Sequence, residues 1–225
     1  MVAASLQMEG VCMYQDMQKE EWEQLFLIHG FAIEEINIKL NKLFDIYELS
    51  GENNPIEHIK TRVKSFESIA RKLEEKEKSV NVPNAKRYLN DIAGVRIICA
   101  FTSDIYGILE TFIHQTDIKV IEIKDYIKKP KASGYQSLHI LVDTMVQLSD
   151  CVEHVPVEVQ IRTIAMDYWA TLEHKLRYKY FDKAPVHIAQ ELKKCASIIK
   201  VLDRKMMAIK KEIDEYEFME NEGNS

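Results

Sequence analysis

His154-Val155-Pro156-Val157-Glu158-Val159-Gln160-Ile161-Arg162 puts Val155, Val157, Val159 and Ile161 at alternate positions, with His154, Glu158, Gln160 and Arg162 between them. Successive side chains on a strand point to opposite faces, so this stretch reads as a strand with one apolar and one polar face. A carboxylate, an amide and a guanidinium then stand in one row, a set suited to holding a metal ion, a hydroxyl and a phosphate. Alone, the same pattern equally describes a half-solvated sheet face.

Working outward, residues 137–148 form a second apolar run, close enough for a hairpin with residues 152–162. Residues 94–101 and 117–124 read as two earlier strands, separated by a helix over residues 103–115. That connection is long enough for a crossover, which leaves these two strands free to run parallel. The expectation is an α/β (α+β) fold with a mixed β-sheet flanked by helices. Trp22, Phe26, Phe31, Ile36, Leu40, Leu43 and Tyr47 recur at helical intervals over residues 20–49. A turn is expected at residues 51–55 and a Lys/Arg-rich helical stretch from there to residue 90.

After the strands, residues 164–180 read as a helix with Trp169, Leu172, Leu176 and Tyr180 on one side. Ile188, Leu192, Cys195, Ile199, Leu202, Met206, Ile209, Ile213 and Tyr216 then step by four and three, the a/d seam of a coiled coil. Such a seam favours self-association over a helix lying back on its own sheet. Residues 1–18 read as a poorly ordered lead, 19–183 as the main domain with its N-terminal helices, 184–220 as an oligomerisation helix and 221–225 as a loose tail.

The 225 residues suffice for one catalytic-sized domain with helical extensions. A formal net charge of -6 argues against a protein whose main task is coating nucleic acid. Cys12, Cys99, Cys151 and Cys195 are scattered, so neither a disulfide framework nor a zinc site is expected, and a reducing, cytoplasmic setting fits. The first ten residues lack the basic start and long apolar stretch of a secretory signal, and no run approaches a membrane span.

Three groups outside the opening strand have chemical potential. Asp91, just before the strand at residue 94, lies within plausible reach of Glu158, and two such carboxylates hold one Mg²⁺ well. Lys131, Gly134, Tyr135 and His139 combine a cation, a flexible turn, an aromatic ring and an imidazole within nine positions. Lys60, Arg62, Lys64, Arg71 and Lys72 form a basic cluster upstream, and Lys124, Lys128 and Lys129 enrich the loop before Lys131.

In order along the chain, Arg62-Val63-Lys64, Asp91-Ile92-Ala93-Gly94-Val95-Arg96, residues 133–139, Val157 to Thr163 and Trp169-Ala170-Thr171-Leu172-Glu173-His174 resemble the small alarmone synthetases. These are stand-alone relatives of the RelA/SpoT synthetase domain, which has a nucleotidyltransferase-like fold. The resemblance covers about residues 55–180. It implies transfer of the β,γ-pyrophosphate of ATP to the 3′-hydroxyl of GDP or GTP, giving ppGpp or pppGpp in the stringent response. By resemblance, Asp91 and Glu158 bind Mg²⁺, and Glu158 polarises or deprotonates the attacking hydroxyl. Arg62 and Arg96 look like the pair that sandwiches adenine, and Lys64 and Lys72 match positions facing ATP phosphates. Tyr135 resembles the ring that stacks on guanine. Lys124, Lys131 and His139 match contacts to the acceptor's phosphates, with Gln160, Asp167 and Glu173 also on the acceptor side.

The chain departs from its relatives at several points. Glu74 and Glu75 replace a further basic pair, Asp167 stands where Asn is common, and Lys124 replaces an Arg. No His-Asp dipeptide of the kind that marks the larger enzymes' hydrolase domain occurs, which implies synthesis without hydrolysis. The resemblance also implies a homotetramer and leaves open regulation by (p)ppGpp or single-stranded RNA. Two other readings are a single-stranded RNA-binding module gripping through Tyr135 and the basic clusters, and a catalytically inactive oligomeric scaffold.

Overall fold

The computed structural model describes residues 2–50, 54–115, 118–180 and 186–223. Its elements are α1 (Val2–Ser50), β1 (Ile56–Val63), α2 (Phe66–Glu75), α3 (Val82–Tyr88), β2 (Ala93–Cys99), α4 (Thr102–Ile113), β3 (Lys119–Asp125), β4 (Leu138–Gln147), β5 (Val152–Thr163), α5 (Ile164–Tyr180) and α6 (Val186–Gly223). The strands form one mixed sheet in the order β1-β2-β5-β4-β3. β4 and β5 pair antiparallel, as the short connection implies, and β5 inserts parallel beside β2. β2 and β3 point the same way, yet they are not neighbours, because β5 and β4 lie between them.

The alternation in β5 sets the two faces of the sheet. Val95, Ile97, Ile140, Val142, Val157, Val159 and Ile161 are buried in one core with Ile33, Ile36, Leu40 and Leu43 of α1 and Ile105, Ile108 and Phe112 of α4. Burying each such side chain contributes about 1.5–3 kcal/mol, so this face anchors the sheet and leaves the other free for polar groups. A second cluster joins Leu25 of α1 to Ile69 and Leu73 of α2 and Leu89 beyond α3. It fixes the helices that lead into β2.

The helical stretch expected from residue 56 begins instead as β1. Ile56, Ile59 and Val63 are spaced like a helix face, but a bulge between Ile56 and His58 offsets the register. Ile56 then faces Cys99 and Ile59 faces Ile97, so a strand presents both to the core despite their odd spacing. As an edge strand, β1 leaves its other side chains largely exposed and shows no clean alternation. Ser65 caps α2 by accepting from the Ser68 amide, and Asn81 caps α3 from Asn84 at 2.8 Å.

The stretch expected as a loose lead lies within α1, which starts at Val2; Ala3, Ala4, Leu6, Met8 and Glu9 are all good helix formers. α6 likewise runs to Gly223, into the expected tail. The expected turn at Gly51, Glu52 and Asn53, the domain boundary at 183/184 and the Tyr180 side chain lie outside the described residues.

Candidate active site

Strand register assembles the polar face as two cross-strand rows. Arg62, Gly94, Glu158, Leu141 and Glu122 stand opposite one another in one row, and Lys60, Arg96, Gln160, His139 and Lys124 in the next. The sequence-predicted Arg62, Arg96, Glu158, Gln160, His139 and Lys124 therefore converge on one surface. Arg62 and Arg96 are diagonal neighbours, a relation that separates side-chain origins by roughly 7–8 Å. That gap accepts a flat ring in contact with a guanidinium on each side, at about 3.5–4 Å per contact.

Asp91 is delivered by the end of the same ladder. β1 and β2 pair as far as Val63 and Ala93, and the Lys64 amide then donates to the Ile92 carbonyl at 2.8 Å. Lys64 and Asp91 are thereby brought side by side, with Nζ 2.6 Å from Oδ2. Lys72, in the last turn of α2, reaches the same oxygen. Burial works to raise the Asp91 carboxyl, but the two ammonium groups hold it below its ordinary value. Glu74 and Glu75 are exposed, and Glu75 pairs with Arg71 at 4.0 Å, so neither intrudes on this pair of lysines.

Around Glu158 the polar groups close a ring. Glu158 Oε2 lies 3.3 Å from His139 Nδ1, and His139 Nε2 lies 2.8 Å from the Tyr135 hydroxyl. Arg162 donates to that hydroxyl and, at 2.8 Å, to Gln160 Oε1, while Gln160 Nε2 donates back to Glu158 Oε1. Because the Glu158 carboxylate can only accept, the neutral imidazole that suits both bonds carries its proton on Nδ1 and leaves Nε2 to accept from the Tyr135 hydroxyl. Burial would raise the Glu158 carboxyl, yet His139 and Gln160 outweigh it and bring it down to about 2, with nearby Asp91 opposing them.

Glu158 borders two clefts. One is lined by Lys60, Arg62, Asp91, Gly94, Arg96 and Gln160, the other by Asn90, Glu122, Lys124, His139 and Leu141. Asp167, in the first turn of α5, ties the first cleft to the tyrosine platform. Its carboxylate accepts from Lys60, Arg96 and Arg162, each at 3.2 Å. Above the platform, Lys131 Nζ sits 4.6 Å from the Tyr126 ring centre and 5.0 Å from that of Tyr135. Lys124 pairs with Glu122 at 2.7 Å at the edge of the second cleft. Glu173, half-buried further along α5, lines neither of these clefts.

Asp91 and Glu158 line the same cleft and repel each other, which is the chemistry a divalent cation relieves. Two carboxylates in one cleft fit Mg²⁺, which takes few protein ligands and fills its other positions with water or phosphate oxygens.

Residues 61–183 match the family described as the region found in RelA / SpoT proteins. The chain belongs to this family. The RelA/SpoT chain is 46% identical over 195 residues to the GTP pyrophosphokinase YwaC of Bacillus subtilis (strain 168), covering 87% of this chain and 93% of that protein. It is 36% identical over 199 residues to GTP pyrophosphokinase YjbM of the same organism, covering 88% and 93%. Among solved structures it resembles small alarmone synthetase 2 from Bacillus subtilis with a TM-score of 0.78 and 45% identity, over 85% of this chain and 99% of that one. Small alarmone synthetase 1 from Bacillus subtilis bound to its product pppGpp gives a TM-score of 0.81 and 35% identity, over 87% and 99%.

Sequence reasoning missed Tyr126 of this candidate site altogether, and named Arg162 and Lys60 without the bonds they make here. Arg162 was visible in the opening row, but its place at the centre of the ring depends on Tyr135, 27 positions away. Lys60 was named in the basic cluster but on a stretch that reads as a helix and is a strand, and Tyr126 stands just past β3 with no pattern to mark it.

Proposed function

We propose that this protein is a GTP pyrophosphokinase that transfers the β,γ-pyrophosphate of ATP to the 3′-hydroxyl of GDP or GTP, yielding ppGpp or pppGpp and AMP. The observation that carries this reading is the place of Glu158 on the wall between two polar clefts. The cleft with Arg62 and Arg96 takes ATP, with adenine between the guanidinium planes and phosphates toward Lys64 and Lys72. The Arg96 Nε is buried with no acceptor among the described residues, a donor that a ligand would satisfy. The other cleft takes the acceptor, with guanine on Tyr135 and its phosphates toward Lys124, Lys131 and His139.

The 3′-oxygen attacks the β-phosphorus, the bond from that phosphorus to the α-bridging oxygen breaks, and AMP departs with the oxygen. A carboxyl held near 2 is ionised throughout the working range. Glu158 therefore serves first as a hydrogen-bond acceptor that orients the hydroxyl, and takes its proton only as attack makes that proton strongly acidic. Asp91 and Glu158 hold Mg²⁺, which when bound neutralises charge on the transferring phosphates. Lys64, Lys72 and Lys131 supply fixed positive charge, so rate comes from positioning and electrostatics with no covalent enzyme intermediate.

Tyr126, Tyr135 and His139 pack edge to face on one another, giving one stacking platform and no track for successive bases. That favours a single nucleotide over an RNA strand. The substrates place the activity in the cytoplasm, and α6 is the element through which a homotetramer would assemble.

The test is incubation with Mg²⁺, γ-labelled ATP and GDP or GTP, following labelled guanine nucleotide and AMP together. Equal amounts of both are expected, with a loss of at least about a hundredfold in Glu158→Gln. Nucleotide binding without transfer by the wild type would overturn the proposal.

A further inference from the structure

α6 meets the rest of the protein along one stripe. Leu192, Ala196, Ile199, Asp203, Met207 and Lys210, at steps of three and four, are among its least exposed residues. At the centre of the stripe Ala196 is 4% exposed and packs with Trp169 and Ala170 of α5 against the Tyr135 ring. The turn that carries Tyr135 comes unusually close. A Cβ on Gly134 would lie 2.7 Å from the Ala196 Cβ and 3.6 Å from the Lys193 Cα. Gly134 also has φ +94°, where side chains are strained. Gly134 therefore has no room for another carbon on the side that faces Ala196.

The helix cannot easily retreat. Trp169 Nε1 donates to the Leu192 carbonyl at 2.9 Å, and Thr163 at the end of β5 donates to Asp203 at 3.0 Å. The backbone bonds of the turn are local, with the Gly134 amide donating to the Lys131 carbonyl and the Lys131 amide to the Tyr135 carbonyl, while the Tyr135 hydroxyl is tied to Arg162 and His139. A larger side chain at position 196 should therefore displace the turn, and with it Tyr135 and Lys131. Arg62, Lys64 and Lys72 stand at the opposite end of the sheet, on or beside β1.

We propose that α6 positions the acceptor-binding turn, with Ala196 as a positioning residue that acts through Gly134 and Tyr135 and touches no substrate. The inference rests on the reading of the Tyr135 side as the GDP/GTP cleft. It makes the C-terminal helix chiefly a determinant of acceptor binding, with the ATP cleft reached less directly, through Arg162 and Asp167.

The experiment compares steady-state kinetics of the full-length wild type and Ala196→Leu with ATP and GDP, alongside thermal melting. A displacement on the order of 1 Å costs up to about a hundredfold. The KM for GDP should accordingly rise about tenfold or more in the variant, with a clearly smaller rise in the KM for ATP and the melting temperature nearly unchanged. Equal rises in both KM values, or an unchanged KM for GDP, would overturn the proposal. Should Ala196→Leu fail to fold, a double-mutant cycle decides. Gly134→Ala should weaken GDP binding, and adding Ala196→Gly should restore part of it by removing the 2.7 Å collision. No recovery would overturn the proposal. A wild type that forms no AMP from ATP and GDP would instead remove the reading of the site itself.

Discussion

Lys64 has a side chain only 6% exposed, and burial brings its ammonium group down to about 8 despite the opposing pull of Asp91. Below that value it is a cation ready for a phosphate, and above it the charge is lost. The direction is therefore fixed: kcat/KM for ATP should fall as pH rises past about 8. The fall in kcat should be smaller, because bound polyphosphate favours the charged lysine. In Lys64→Arg the alkaline limb should flatten, since guanidinium keeps its proton; an unchanged limb would assign it to another group. Glu158, Gln160 and Arg162 were legible from the sequence because a period of two placed them in one row. The pairing of Lys64 with Asp91 was not, because it depends on where the β1/β2 ladder ends. Asp167 was marked only by resemblance, and its bonds to Lys60, Arg96 and Arg162 span up to 107 positions.

α6 carries two stripes side by side. One docks on the body through Ala196 and its neighbours, so a helix lying back on its own domain is part of the truth. The other retains much of the coiled-coil pattern read from the sequence: Leu202, Met206, Ile209 and Ile213 remain 44–51% exposed. Burying such side chains against a second copy contributes about 1.5–3 kcal/mol each, enough in sum to favour self-association. Ile209→Asp should reduce the mass measured by light scattering toward the 26.2 kDa of one chain. A wild type that already sits at one chain's mass at micromolar concentration would refute the seam. The contrast with β1 is instructive. α6 was readable because its apolar spacing holds for many turns, whereas β1 is short, lies at an edge and contains a bulge, which gave Ile56, Ile59 and Val63 a helical look.

Across the molecule, the strand order is what sequence patterns conveyed least. Periodicity marked four of the five strands, but which strand sits beside which is a non-local matter. β5, the last strand in the chain, occupies the middle of the sheet and is flanked by β2 and β4. A chain ending at residue 150 should therefore lack cooperative melting by circular dichroism and should bind neither nucleotide. A sharp transition in that fragment would mean that the earlier strands can close on one another. The same topology has a consequence for biosynthesis. Glu158 and Arg162 lie on this last strand, so a growing polypeptide holds Arg62 and Arg96 long before the carboxylate that joins the two clefts. A chain still being translated should therefore make no guanosine alarmone until synthesis has passed the final strand.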